Sequence, residues 1–153
     1  MNDSVFDPNT FLDTTVDTPF DTVRTTVPAG DTYLATIDDV KGRQVETKQG
    51  DRRILDVFWE IQDDNLRAQL NLPKVVVRQS VFLDFTVDGK LGHGINQNIQ
   101  LGQVREAVNQ NGPGAWSFRL LIGAGPARLK VSERVDDKNP SIKYNDVDRV
   151  SRV

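Results

Sequence analysis

The chain of 153 residues is long enough for one domain with a substantial core and too short for two independent ones. Its net charge of −3, 37% hydrophobic content, eleven Gly and seven Pro fit a turn-rich soluble protein. Having no cysteine, it excludes disulfides, thiol catalysis and cysteine-bound zinc, and its longest apolar runs, Val75–Val77 and Leu120–Ile122, fall far below the roughly 20 residues of a spanning helix. Met1-Asn2-Asp3-Ser4 lacks the basic patch and apolar stretch of a secretory signal, so the expected location is cytoplasmic, in the host cytoplasm if the protein is viral, with no membrane association.

Residues 1–27 carry five Asp against Arg24 alone, whereas residues 28–153 hold 18 Lys and Arg against 17 acids. An acidic Thr/Asp-rich arm therefore precedes a near-neutral binding domain. The arm shows neither a strand nor a helix period and contains isolated Phe6, Phe11 and Phe20. It reads as a poorly ordered leader, or as a segment that docks its phenylalanines on this domain or on a partner.

Pro28-Ala29-Gly30-Asp31 is turn chemistry, and Thr32–Val40 alternates behind it as the first strand, with Tyr33, Ala35 and Ile37 on one side. Lys41-Gly42-Arg43 is expected to interrupt this strand before Gln44–Thr47 resumes it, and Lys48-Gln49-Gly50-Asp51 forms a turn. Arg52–Ile61 is the second strand, with Leu55, Val57, Trp59 and Ile61 inward and Ile54, Asp56, Phe58 and Glu60 outward. Asp63–Pro73 reads as a loop. Val75–Thr86 is the third strand, with Val75, Val77, Val81, Leu83 and Phe85 inward and Val76, Arg78, Ser80, Phe82 and Asp84 outward, closed by Asp88-Gly89.

Gln100–Gln110 is the one convincing helix: Leu101, Val104, Ala107 and Val108 recur at helical spacing, and Asn111-Gly112-Pro113-Gly114 stops it. Trp116–Ile122 either extends that helix or forms a short strand. Ala127–Val135 and Asp146–Val153 are the fourth and fifth strands, separated by a turn-rich loop over Asp136–Pro140. This order predicts a mostly β fold, a five-stranded OB-type barrel with one helix between the third and fourth strands, which binds ligands on the face of strands two and three. A β-sandwich and a small α+β sheet share the local pattern.

Catalytic chemistry is sparse. His93, in Gly92-His93-Gly94, has no second histidine for a metal site or dyad. Gly123-Ala124-Gly125-Pro126 lacks the Lys-Ser/Thr ending of a phosphate loop, and its proline removes an amide donor, so it reads as a turn. Asp38-Asp39, Asp63-Asp64 and Asp136-Asp137 read as solvated turn acids rather than cation ligands. There is no Gly-x-Ser-x-Gly. The expectation is a protein with no catalytic residues, no metal and no cofactor.

Single-stranded nucleic acid is held by cations that track phosphates and by aromatic rings that stack on bases, and both occur together here. Lys41, Arg43, Lys48, Arg52 and Arg53 face only Glu46 and Asp51 across residues 41–53. They lead into the strand bearing Phe58, and the next strand offers Arg78 and Phe82 on its polar face. Outward Phe is costly unless covered or used. Arg134, Lys138, Lys143 and Tyr144 form a second cluster around the last loop. Trp59 and Trp116 read as core.

The layout resembles phage single-stranded-DNA-binding proteins of the OB-fold family. The residues that carry the likeness are Pro28–Tyr33 opening the barrel, Leu55-Asp56-Val57-Phe58-Trp59-Glu60-Ile61, the helix Leu101–Ala107, and Tyr144-Asn145-Asp146-Val147. The resemblance implies sequence-tolerant coating of single-stranded DNA in phage replication or recombination. Many relatives recruit partners through an acidic tail with a terminal aromatic, whereas this sequence ends Asp148-Arg149-Val150-Ser151-Arg152-Val153 and carries its acid and Phe in the arm. The arm is therefore expected to contact replication or recombination proteins or to compete with DNA, and a homodimer is compatible with the sequence. The alternative is a small virion or assembly protein whose exposed aromatics meet another subunit.

Overall fold

The computed structural model describes residues 5–153, and Met1–Ser4, read above as lacking a signal, lie outside it. Five antiparallel strands form one sheet: β1 (Gly30–Thr47), β2 (Gly50–Ile61), β3 (Val76–Phe82), β4 (Ala127–Val135) and β5 (Lys143–Arg152), in the order β3-β2-β1-β4-β5. The helices are α1 (Pro8–Leu12), α2 (Asp64–Leu70) and α3 (Ile99–Ala107), with a 3-10 turn at Phe118–Leu121. Among the described residues no helix is long and apolar enough to cross a membrane.

The strands form where the side chains alternate. On β2, Leu55, Val57, Trp59 and Ile61 are all buried, and on β3 Val77, Gln79 and Val81 face the same way. The Trp59 indole N–H donates to Gln79 Oε1 at 2.9 Å, so the one polar edge of this core ring is satisfied inside the sheet. Ile37, Leu121 and Leu129 complete the centre. Helix α3 buries Leu101, Val104 and Ala107 against it. Its start is fixed by Asn98, whose amide group accepts from Asp84 N at 2.8 Å and donates to Asp84 O and Gly92 O, each at 2.9 Å.

Several sequence expectations change. The third strand ends at Phe82 instead of running to Thr86, with Phe85 only bridging to Leu91. Lys41-Gly42-Arg43 does not break β1. Gly42 pairs opposite Leu55 in a continuous ladder, and a Cβ there would meet nothing within 4 Å, so this glycine marks no turn. The irregularity lies instead at Asp38, an extra residue between the pairs Ile37–Trp59 and Asp39–Phe58. Asp63–Pro73 is not all loop. The Asp63 carboxylate accepts from Leu66 N at 3.0 Å, capping α2, and Asn71 ends it in the left-handed conformation. Helix α3 is therefore not the sole helix. Trp116–Ile122 is neither helix extension nor strand but a 3-10 turn that buries Leu121.

Gly123–Pro126 runs alongside β1, where Ile37 N donates to Ala124 O at 2.9 Å and Gly123 N donates to Ile37 O at 2.7 Å. Gly125 has φ +125°, and a Cβ on it would come within 3.0 Å of Ala35 O, so close backbone approach explains this glycine.

In the arm, Asp7 caps α1 by accepting from Asn9 N at 3.0 Å, and Phe6 packs on Phe11 with centroids 5.2 Å apart. The sequence showed no period here because five residues are too few for one. Phe6, Phe11 and Phe20 are all exposed, so they are not laid over the sheet. Val27, in contrast, is buried in the core.

Candidate nucleic-acid interface

Cross-strand partners share a face, so the ladder decides which side chains can act together. Before Asp38, Ala35 and Ile37 of β1 oppose Ile61 and Trp59 and point inward. After it, Val40 opposes inward Val57, while Lys41 opposes Asp56 and Arg43 opposes Ile54. One extra residue thus moves Lys41 and Arg43 from the core side to the outer side. There they join Arg52 and Phe58 of β2 and Arg78 and Phe82 of β3.

Two cation–ring pairs occupy this face. Lys41 Nζ lies 5.5 Å from the Phe58 centroid, and the Arg52 guanidinium carbon lies 5.8 Å from that of Phe82. Phe82 is 48% exposed, whereas Phe58 is half-buried, which corrects the expectation of two open rings. Arg78 sits directly opposite Phe58. Between the rings, Ile54 and Asp56 are buried although their side chains lie on the outer face. Arg43 Nε donates to Asp56 Oδ2 at 2.7 Å, and Ser80 Oγ donates to Asp56 Oδ1 at 2.9 Å. Burial pushes the Asp56 carboxyl up, but the hydrogen bonds from Arg43 and Ser80 and the charges of Arg43 and Arg78 outweigh it and hold it below the usual carboxylate range.

The remaining sequence-predicted cations divide by position. Lys48 is at the exposed tip of the β1–β2 hairpin. Arg53 alternates to the inner side, where it stacks 4.7 Å from the Phe85 centroid, apart from Phe58 and Phe82. Arg134 and Tyr144 face each other across β4 and β5, the guanidinium 4.9 Å from the ring, and Arg134 Nε donates to Asp146 at 2.9 Å. The Tyr144 hydroxyl donates to Asp136 at 3.1 Å. This bond raises the Tyr144 pKa, while the amides of Lys138 and Asn139 lower that of Asp136. Lys138 and Lys143 are exposed beside them.

Strands β3 and β5 are not hydrogen-bonded to each other, and a groove of about 600 Å³ separates them. Arg78, Arg134, Lys143 and Tyr144 line it, so the two clusters read from sequence meet at one groove. Arg24 lines it as well and was missed. Its position in an acidic arm gave no signal, because the groove is built from β3 and β5, both distant from it in sequence. Trp116, read as core, is half-buried, with Arg105 4.2 Å from its ring. His93 is exposed, and among the described residues no three His, Asp or Glu gather as metal ligands.

No protein-family model, curated protein or solved structure matches the chain.

Proposed function

We propose that this chain binds single-stranded DNA without sequence preference, as a protein of phage DNA replication or recombination, through the outer face of β1–β3. The carrying observation is the bulge at Asp38, after which Lys41 lies over Phe58 and Arg43 meets Asp56 on a face that also holds the Arg52–Phe82 pair. Phosphates need cations and bases need rings within one nucleotide's reach, and this face supplies both. We read the sheet as an OB-type barrel left open along one seam. Supporting this, β1 pairs with both β2 and β4, and β3 and β5 flank the groove that would be the seam. The phage assignment and the recruitment of replication proteins by the arm rest on the sequence resemblance.

The test is titration with oligothymidine, followed by tryptophan fluorescence, at low and high salt. Binding that weakens as salt rises supports the reading. Absence of binding at low salt overturns it. A second reading, a virion or assembly protein, is favoured by the exposed Phe6, Phe11 and Phe20 of the arm. It requires concentration-dependent self-association without nucleic-acid affinity.

A further inference from the structure

The end of the arm is not a free linker. Val27 N donates to Asn145 Oδ1 at 2.9 Å, and Asn145 Nδ2 donates back to Val27 O at 2.8 Å. The Asn145 side chain thereby pairs with both backbone groups of one residue, as a neighbouring strand would. Asn145 Nδ2 also reaches Ser132 O at 3.3 Å, tying the same contact to β4. One residue earlier, the Thr26 hydroxyl donates to Glu133 Oε1 at 2.5 Å. Val27 itself is 4% exposed, so its side chain anchors this segment in the core.

This fastening fixes what lies just upstream. Arg24 and Thr25 follow the same edge into the groove between β3 and β5, where Arg24 joins Arg78, Arg134 and Lys143 against Asp146 as the one lining acid. Asp146 is already engaged by Arg134. Among the described residues Arg24, Arg78 and Lys143 form no direct ion pair, Arg78 acting on Asp56 only through space, so the groove holds three unpaired cations from three separate parts of the chain. Like charges gathered in a concave site focus positive potential toward an anion.

We infer that the arm stem, Arg24–Val27, is a built wall of the binding groove, that Arg24 contacts a phosphate of the bound single strand, and that Asn145 is the positioning residue that holds it there. The inference rests on the reading of the chain as a single-stranded-DNA binder and extends the path of the strand from the β1–β3 face into the β3–β5 groove. The acidic arm then contributes a cation to the site, the reverse of what its net charge suggests.

The full chain carrying Arg24→Ala, Arg24→Lys, Asn145→Ala or Lys41→Ala is titrated with oligothymidine over a range of salt. Loss of one phosphate contact makes the slope of log affinity against log salt shallower by about 0.7 for a single strand. Arg24→Ala and Asn145→Ala should each show this loss, Arg24→Lys should retain the slope, and the Arg24→Ala/Asn145→Ala double variant should be no shallower than either. A purely structural Asn145 would leave the slope unchanged. Should Asn145→Ala melt below the assay temperature, Arg24→Ala, an exposed substitution, decides alone. An unchanged slope in Arg24→Ala beside a shallower one in Lys41→Ala overturns the arm-stem inference and leaves the β1–β3 face standing. No binding by the unaltered chain overturns both.

Discussion

Arg43 and Asp56 form an ion pair across β1 and β2 at 2.7 Å, with the Asp56 side chain buried and that of Arg43 40% exposed. The pair lies between Phe58 and Phe82, so this arginine serves the sheet first and a ligand only second. Of the outer-face cations, Lys41 and Arg52 ride over the rings instead.

Replacing Asp56 with Asn should cost about 1–2 kcal/mol, the value of a charge-assisted hydrogen bond discounted for screening at the exposed Arg43. Because the folded-state pKa of Asp56 is lowered, its contribution is fully present above the unfolded value of about 4. It is lost as pH falls through the lower folded value. Urea unfolding of both proteins across this acid range should show the gap between them closing. A constant gap would separate the loss from titration of this carboxyl.

Phe82 and Phe58 should respond differently to alanine. Phe82 is half exposed, so Phe82→Ala should weaken oligothymidine binding by about 5- to 150-fold, the worth of one stacked base, with little change in melting temperature. Phe58 is half-buried under Lys41, so Phe58→Ala should lower both affinity and melting temperature. Equal binding by the double variant would remove both rings from the site.

These contrasts show why part of the site was legible in the sequence. On β2 and β3 the register is unbroken, and strict alternation put Val57, Trp59, Val77 and Val81 inward and Phe82 outward. Burial of Ile54 and Asp56 was hidden, because it comes from neighbours on β1 and β3 that alternation within one strand cannot reveal. The bulge at Asp38 was hidden as well. Gly42 drew attention as the breaker, yet it sits in a regular pair, while the face changes four residues earlier at an aspartate. Helix α2 carries Leu66 as its one buried side chain, too little for a period, and only its cap, Asp63, marked it. Arg24 could not be placed, since the stem beside it is fastened through Thr26 and Val27 to Glu133 and Asn145 at the far end of the chain.

Removing residues 1–23 separates the acid of the arm from its stem. The truncation deletes the five Asp of the arm and keeps Arg24 and the Val27 anchor. Repulsion between the arm and DNA phosphates is then lost, so affinity for oligothymidine should rise at low salt and converge with that of the full chain at high salt, where charges beyond a Debye length of about 3–10 Å are screened. Identical affinities at both salts would mean that the arm does not compete with DNA.

Deleting Asp38 separates the bulge itself from the register that follows it. With Asp38 gone, Asp39 follows Ile37 directly and keeps its pairing with Phe58, so Lys41 stays opposite Asp56 and Arg43 opposite Ile54 on the outer face. The deletion also removes the Asp38 carboxylate, which accepts from Lys74 Nζ at 2.5 Å, so Asp38→Ala is the necessary control. That substitution keeps the residue count and removes only a surface ion pair, which contributes little to stability. Both variants should therefore keep their affinity for oligothymidine, because the cations and rings of the outer face hold their pairing. A deletion variant that folds but loses binding, beside an Asp38→Ala that keeps it, would show that the local twist of the bulge and not the face assignment of Lys41 and Arg43 shapes the site.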